Sequence, residues 1–419
     1  VEVLWIGRNF AVERGIDFGP DLRDTWLAGS LPRQVGKVTM KLTTWNAEWL
    51  DTDWGVLSGK HAPGKKIFPH TAPTKAVADK RIEAIRSFLN ALAADILFIC
   101  EAPAGEEDMQ AFVETVLPEY DLVTRPKGES YETQGRQWQW FLVRKPLADR
   151  VAPGLVPIPI WRAFAAADTD SISEDGTWSV ATPKLQTVGG VEDVPVSLRT
   201  KHSFYREPQI LRFAFGGGHH EVIGAHLKSK FTGSSLPKRK ANQSFDDYVE
   251  GSRKVRSFLA MAHEARVKLS SEATTIRAYI DHRFGQEADP SIVVLGDLND
   301  GPGKEVMERE YLLHDLISNL QGEVFFAQRF LNHALFDQPS TLRWTAQFKD
   351  PIDPARDDRI LLDHILFTQA MTRSGKSPLW VQSGAGRVEH LAFEEAEATF
   401  GAGMLSDHRP VSVTLTPRT

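Results

Sequence analysis

Apolar residues recur along this chain in two rhythms. Between residues 75 and 92, Ile82, Ile85, Leu89 and Leu92 fall at three- and four-residue spacings, with Lys80, Arg81, Glu83 and Arg86 between them. That spacing predicts an amphipathic helix whose charged face meets water. It leads through Ala93, Ala94 and Asp95 into ILFIC (96–100), a short unbroken apolar run that predicts a strand covered on both faces. Further strands are predicted in VTMKLTTW (38–45), WQWFLVRK (138–145), QILRFAF (209–215), EVIGAHL (221–227), SIVVLGDL (291–298), RILLDHILF (359–367) and PVSVTLT (410–416). Helices are predicted around 107–116, 248–269 and 272–284. Strands with intervening helices point to an α/β chain.

Two stretches break the rhythm. Residues 146–200 are rich in Pro, Gly, Ser and Asp, as in PGLVPIPIW, SISEDGTW and TVGGVEDVP, and read as a long surface insertion of the kind that shapes a binding site. A second insertion, 231–247, carries LPKRK within a locally basic stretch that reads most simply as a solvated face. Met40 stands where the first convincing strand begins, so residues 1–39 read as a peripheral extension and 40–419 as one large domain. The first twenty residues lack the basic patch, apolar block and cleavage site of a secretory signal, which fits a cytoplasmic protein or a mature form whose signal has been removed.

Composition narrows the choice. Of 419 residues, 42% are hydrophobic and 25% charged, enough to build a packed core and too apolar for a disordered chain. A net charge of −6 argues against a protein that coats DNA by general positive charge, though not against an enzyme that meets nucleic acid locally. The single cysteine, Cys100, lies inside an apolar run, which rules out an intramolecular disulfide and a thiolate zinc cluster. No stretch approaches the roughly 18 consecutive apolar residues that span a bilayer, so no stable membrane association is expected.

Chemistry collects where the strands end. KLTTW runs into Asn46 and Glu48, ILFIC into Glu101, EVIGA into His226, and IVVLG into Asp297 and Asn299; Asp363 and His364 introduce ILF, and Asp407 and His408 introduce PVSVTL. If outgoing and incoming strands are antiparallel neighbours, these ends and starts share one rim of the sheet. Carboxylates gathered there repel unless a cation sits among them. Oxygen donors without cysteine suit Mg2+ or Mn2+ better than zinc. His226 and His408 would add proton transfer, and the whole outlines phosphoester hydrolysis. Singly, each piece has a plainer reading. GDLN could be an Asx-turn, SDHRP a loop with a surface ion pair, Glu101 a cap and His226 a half-buried structural histidine. His202, His219, His220, His263, His282 and His390 have no such setting and read as structural or solvent-exposed.

Taken in order, TTWNAEWL, FICEAP, GRQWQWFLVRK, SFYREPQILRF, VIGAHLKSK, VVLGDLND, LLDHILF and SDHRPV resemble the motifs of the endonuclease/exonuclease/phosphatase superfamily, the metal-dependent phosphoesterases related to deoxyribonuclease I. HLKSK and GDLND look most like its bacterial secreted-nuclease branch. The resemblance, from about residue 41 to 415, implies a four-layer α/β sandwich of two packed mixed sheets flanked by helices. It implies Glu101 on the principal metal with Asn46 close by and Asp407 sharing it, and His408 as the base held by Asp363. Asp297 and Asn299 would orient the nucleophile and bind phosphate or a second metal. His226 and Arg206 would stabilise developing charge, Arg206 being singled out by the resemblance alone.

Gln137 stands where the deoxyribonucleases place a carboxylate that supports the first histidine. VVLGDLND and ILLDHIL lack the marks of inositol-polyphosphate phosphatases, and His226 departs from the abasic-site endonucleases. The leading expectation is a Mg2+- or Mn2+-dependent nuclease acting on DNA rather than RNA with little sequence preference, Lys228, Lys230 and LPKRK contacting neighbouring phosphates. The rivals are a sphingomyelinase-type phosphodiesterase, for which Trp161 and Phe164 are the candidate membrane aromatics, and a non-catalytic scaffold.

Overall fold

The computed structural model describes residues 39–65, 72–167, 172–230, 232, 236–240, 242–301, 305, 308–309, 315–350, 353 and 355–418. The extension expected over residues 1–39 lies outside them apart from Thr39, and the insertion expected over 231–247 is described only in part.

Two six-stranded sheets form the centre, and β12 (Ala346–Gln347) pairs with β13 (Arg359–Ile360) in a separate two-stranded sheet. The first runs, edge to edge, β15 (Leu379–Val388), β16 (Val411–Pro417), β1 (Met40–Asn46), β2 (Ile96–Ala102), β4 (Trp138–Arg144) and β3 (Tyr120–Val123). The second runs β11 (Asn332–His333), β14 (Asp363–Phe367), β10 (Ser291–Asp297), β9 (Gly218–Gly224), β8 (Gln209–Phe215) and β5 (Gly154–Leu155). In both sheets the central pair is parallel, β1 with β2 and β9 with β10, and the flanking pairs are antiparallel.

Strand periodicity sorts the side chains into layers. Met40 and Leu42 of β1, Phe98 of β2, Val293 and Leu295 of β10 and Ile365 of β14 meet between the sheets. Trp45, Leu97 and Ile99 turn the other way, against helices Lys75–Leu92 (Ile85, Phe88), Glu106–Val116 (Phe112) and His390–Phe400 (Phe393). Ile223, Ile292, Val294 and Leu366 face helices Ile158–Ala166 (Trp161) and Arg253–Gln286 (Ile276, Tyr279, Ile280). The result is helix, sheet, sheet, helix, the four-layer α/β sandwich expected. The sheets approach closely at their centres: a Cβ on Gly224 would stand 2.3 Å from the Phe98 ring.

Three expectations are corrected. Residues 146–200 are not an irregular surface stretch. They hold most of helix Lys145–Val151, helix Ile158–Ala166, strand β5, and a long hairpin of β6 (Thr177–Val188) and β7 (Val191–Ser203). Gly189 and Gly190 turn that hairpin with φ of 58° and 82°, the pair of positive values a tight two-residue turn requires. Pro183 and Pro195 sit inside its two strands and disguise them as loop. Helices expected at 248–269 and 272–284 are one helix, Arg253–Gln286, preceded by the short helix Phe245–Glu250. Glu272, which looked like the start of a new element, is 1% exposed within it. Arg81, expected on the charged face of its helix, is buried.

Candidate functional site

The sheets deliver three side chains each to one rim. β1 lies antiparallel to β16, with Thr44 opposite Val411, and β10 lies antiparallel to β14, with Asp297 opposite Asp363. The outgoing ends of β1, β2, β9 and β10 and the incoming starts of β14 and β16 therefore coincide, as the sequence led one to expect.

Facing follows from parity. Asn46 continues the series Met40, Leu42; Asp297 continues Val293, Leu295; and Asp363 begins the series Ile365, Phe367, all facing the other sheet. β9 pairing persists past its last residue, since the Leu227 N–H donates to Asp297 O at 3.0 Å, so His226 follows Val222 on the inner face. Glu101 breaks the rule. With regular alternation it would follow Leu97 and Ile99 into the helix layer. A register shift between Cys100 and Ala102 and a φ of 59° turn it the other way. This bulge re-aims the carboxylate at the cost of a left-handed backbone on a non-glycine residue.

The groups so gathered touch. Asn46 Nδ2 donates to Glu101 Oε1 at 3.1 Å and to Asp297 Oδ2 at 2.9 Å, while its Oδ1 accepts from the Glu48 N–H. Glu101 Oε2 accepts from the Trp49 N–H at 2.9 Å. His226 Nε2 stands 3.5 Å from Asp297 Oδ2 and 3.9 Å from Glu101 Oε1. His408 Nδ1 and Asp363 Oδ2 are 2.7 Å apart, and donor atoms of Asp297, Asp363 and His408 lie within 4.8 Å of one another. All of these residues except Glu48 and Trp49 are buried.

Electrostatics separates the two histidines. Burial disfavours the His408 imidazolium, but the Asp363 and Asp297 charges outweigh it and hold the group well above the ordinary histidine value. Burial, then Arg206 and His408, push His226 well below it, so His226 is neutral. Burial also raises the Asp297 carboxyl, opposed by His408 and reinforced by Asp363. Burial, then Asp297 and Asp363, push the Cys100 thiol up, so this cysteine is inert core.

Asn299 closes an Asx-turn, its N–H donating to Asp297 Oδ1 at 2.9 Å with φ of 54°, and its Nδ2 donates to Leu227 O at 3.0 Å. Asp407 is exposed and its N–H donates to Glu48 Oε2. Arg206 is 4% exposed and donates from Nε to His226 O, from Nη2 to Leu227 O and from Nη1 to Gln137 Oε1. Here it clamps the backbone that carries His226, while Gln137 takes one of its donors and leaves His226 Nδ1 without a hydrogen-bond partner among the described residues. Arg206→Ala should therefore lower stability as well as turnover, by at least the about 1–3 kcal/mol that an orphaned buried carbonyl costs. Urea unfolding read beside the hydrolysis rate checks this, and an unchanged midpoint would refute the clamp.

Other residues that frame the site were missed. Arg81 Nη2 donates to Ala47 O, Glu48 O and Leu405 O, and Nη1 pairs with Asp53, tying the turn after β1 to the approach to His408. Thr345 Oγ1 accepts from the Leu362 and Asp363 N–H groups. Glu272 accepts from the Lys228 N–H and pairs with His202. Only a register for the whole fold would have revealed these partners. Lys230 is corrected: it is held by Asp300 and Glu305 rather than presented to a phosphate. Asp300, Glu305 and Glu308 form a second acidic group, already answered by Lys230 and by Arg266 on Glu305.

No family model matches the chain, and no curated protein matches it. Solved structures do. Truncated TDP2 from Caenorhabditis elegans is 14% identical, with 90% of this chain and 97% of that chain covered at a TM-score of 0.42. TDP2 from D. rerio, complexed with a single-strand DNA product, is 12% identical, with 90% and 98% covered at 0.40. An endonuclease/exonuclease/phosphatase family protein from Bacteroides thetaiotaomicron is 11% identical, with 92% and 100% covered at 0.38. Likeness at this level assigns no activity to the chain.

Proposed function

We propose that this protein is a divalent-metal-dependent phosphodiesterase that hydrolyses nucleic acid, DNA being the substrate its motifs favour. The observation that carries the reading is a buried His408–Asp363 pair at 2.7 Å facing two carboxylates, Glu101 and Asp297, that one amide, Asn46, ties together.

The donor set fits a hard cation. Glu101, Asp297 and Asp363 are buried acids, and Asp363 Oδ1 has no hydrogen-bond partner among the described residues. Buried carboxylates so close repel one another until a positive charge joins them. Glu101 and Asp297 would hold the ion, with Asn46 keeping them together and Asp407 at the exposed margin. A bound Mg2+ or Mn2+ supplies positive charge that polarises a phosphoryl oxygen and offsets the carboxylates around His408.

His408 is held at Nδ1 by Asp363, which leaves Nε2 to accept a proton from an attacking water. Asp297, fixed by the Asx-turn to Asn299, orients that water. Neutral His226 hydrogen-bonds a phosphate oxygen through Nε2, and Arg206 keeps it in place.

The membrane-lipid reading loses its sequence support. Trp161 is 1% exposed and packs against Phe204 and Tyr279, and Phe164 is half-buried and stacks on Tyr279. The two most exposed aromatics among the described residues are Phe325, 87% exposed, and Phe326, 59% exposed, on the turn Val324–Arg329 that precedes β11; Phe336, Phe348 and Tyr205 are exposed to a lesser degree. β11 begins opposite Phe367, the end of β14 remote from Asp363, so the turn that carries Phe325 and Phe326 meets the sheet at the end away from the site.

Supercoiled plasmid, linear DNA and RNA incubated with Mg2+ or Mn2+, with and without chelator, provide the test. Cleavage should require the metal, return when metal is restored, and weaken as salt rises. Failure to cut any phosphodiester with either metal would leave the non-catalytic scaffold in its place.

A further inference from the structure

A second recess opens on the same rim. β4 begins at Trp138, opposite the end of β2, and β8 begins at Gln209, opposite the end of β9, so the segments before them border the site one strand further out. There the loop 130–135, helix Ile158–Ala166 and the open end of the β6–β7 hairpin enclose a pocket of ≈ 360 Å3, within the roughly 300–1,000 Å3 usual for small-molecule sites. Nothing in the proposed hydrolysis uses it.

Its walls state what it can take. Trp138 lines one side, its indole 5.5 Å from the Tyr131 ring and its Nε1–H donated to Gly135 O. Hydroxyls and an amide line another, including Ser130, Ser203 and Gln134. Three carboxylates, Glu132, Asp175 and Glu207, face a single guanidinium, Arg162, which pairs with Glu207 at 2.8 Å. The uncompensated negative charge repels phosphate. An aromatic wall with short neutral donors and acceptors suits a flat, uncharged ring that stacks and hydrogen-bonds at its edge.

The pocket also lies at the right place. Glu207, in its lining, directly follows Arg206, whose guanidinium grips His226 O. Thr133, also in the lining, bridges Arg206 across the backbone. Tyr205, 39% exposed with the Arg206 guanidinium over its ring, stands beside it. We infer that this recess is a subsite for one unpaired nucleobase of the strand whose phosphodiester sits at His408 and Glu101. The inference rests on the phosphodiesterase reading and adds a preference for substrate with a base free to leave its stack.

The test compares p-nitrophenyl diesters with and without a nucleoside: thymidine 5′-(p-nitrophenyl phosphate), thymidine 3′-(p-nitrophenyl phosphate) and methyl p-nitrophenyl phosphate, with the full chain and Mg2+. The quantity read is the ratio of kcat/KM for each nucleoside ester to that for the methyl ester. One nucleoside ester should be preferred by about tenfold or more, in keeping with stacking on an aromatic side chain. That ratio should fall by about the same factor in Trp138→Ala, which removes the stacking wall, and in Ser130→Trp, which fills the recess from an exposed loop. Equal ratios in the unaltered protein and both variants would overturn the subsite while leaving the phosphodiesterase standing. No hydrolysis of any of the three esters would overturn both.

Discussion

His408→Ala should lower phosphodiester turnover by about 10²–10⁴-fold, the usual contribution of a positioned acid–base group. The expectation rests on a ring fixed at both ends. Nδ1 meets Asp363, and the backbone is tied by Trp45 Nε1–H to His408 O and by the His408 N–H to Ser406 Oγ. Asp363→Asn sharpens the test. Despite burial, Asp363 and Asp297 hold the His408 imidazolium well above its ordinary range. A base works only when deprotonated, so activity should climb with pH, and neutralising Asp363 should move that climb to lower pH while reducing its plateau. Stability runs the other way. A histidine whose pKa is raised by folding stabilises the native state fully below its unfolded value of about 6.5, and the contribution fades as pH rises through the elevated value. A pH–rate profile unmoved by Asp363→Asn would disconnect the pair from the reaction, and undiminished turnover in His408→Ala would remove the base altogether.

Glu101→Gln should raise the Mg2+ concentration needed for half-maximal activity by at least about 10–100-fold, the loss already typical when a mere supporting partner of a metal ligand is removed. Gln keeps the shape, but its single oxygen can accept from only one of the two donors, Asn46 Nδ2 or the Trp49 N–H, which now meet separate oxygens of Glu101. Metal-free stability should change little, because the neutralised member of three clustered buried acids offsets the hydrogen bond that is lost. Melting temperature with and without Mg2+ separates the outcomes: the unaltered protein should be stabilised by the ion, and the variant far less. An unchanged Mg2+ titration would take Glu101 out of the metal site.

The layers of the fold and the rim that carries the candidate residues were legible in the sequence, while the contacts that support that rim were not, for a physical reason. Asn46, His226, Asp297 and Asp363 sit at strand ends in step with period-two burial, so a local pattern predicts both their position and their facing. Glu101 could be placed at the rim but not aimed, because its direction depends on a bulge paired across to β4. Arg81 and Glu272 could not be read at all. Each is a charged residue at a helical position that solvent would suit, and each is buried because of partners far along the chain, Leu405 for one and Lys228 for the other. The β6–β7 hairpin is illegible for the opposite reason: Gly189 and Gly190 at its turn and Pro183 and Pro195 within its strands all read locally as irregular chain. Arg206 shows that a matched motif locates a residue without giving its partners, which are the His226 and Leu227 carbonyls and the Gln137 side chain.

Because β16 inserts between β1 and β15, the imidazole proposed as base arrives 363 positions after the indole of Trp45 that holds its carbonyl. Contacts so distant in sequence are among the slowest to form. A chain folding as it is synthesised would therefore gather Glu101 and Asp297 before it held the imidazole proposed to activate water, leaving that group the last of the site's side chains to arrive.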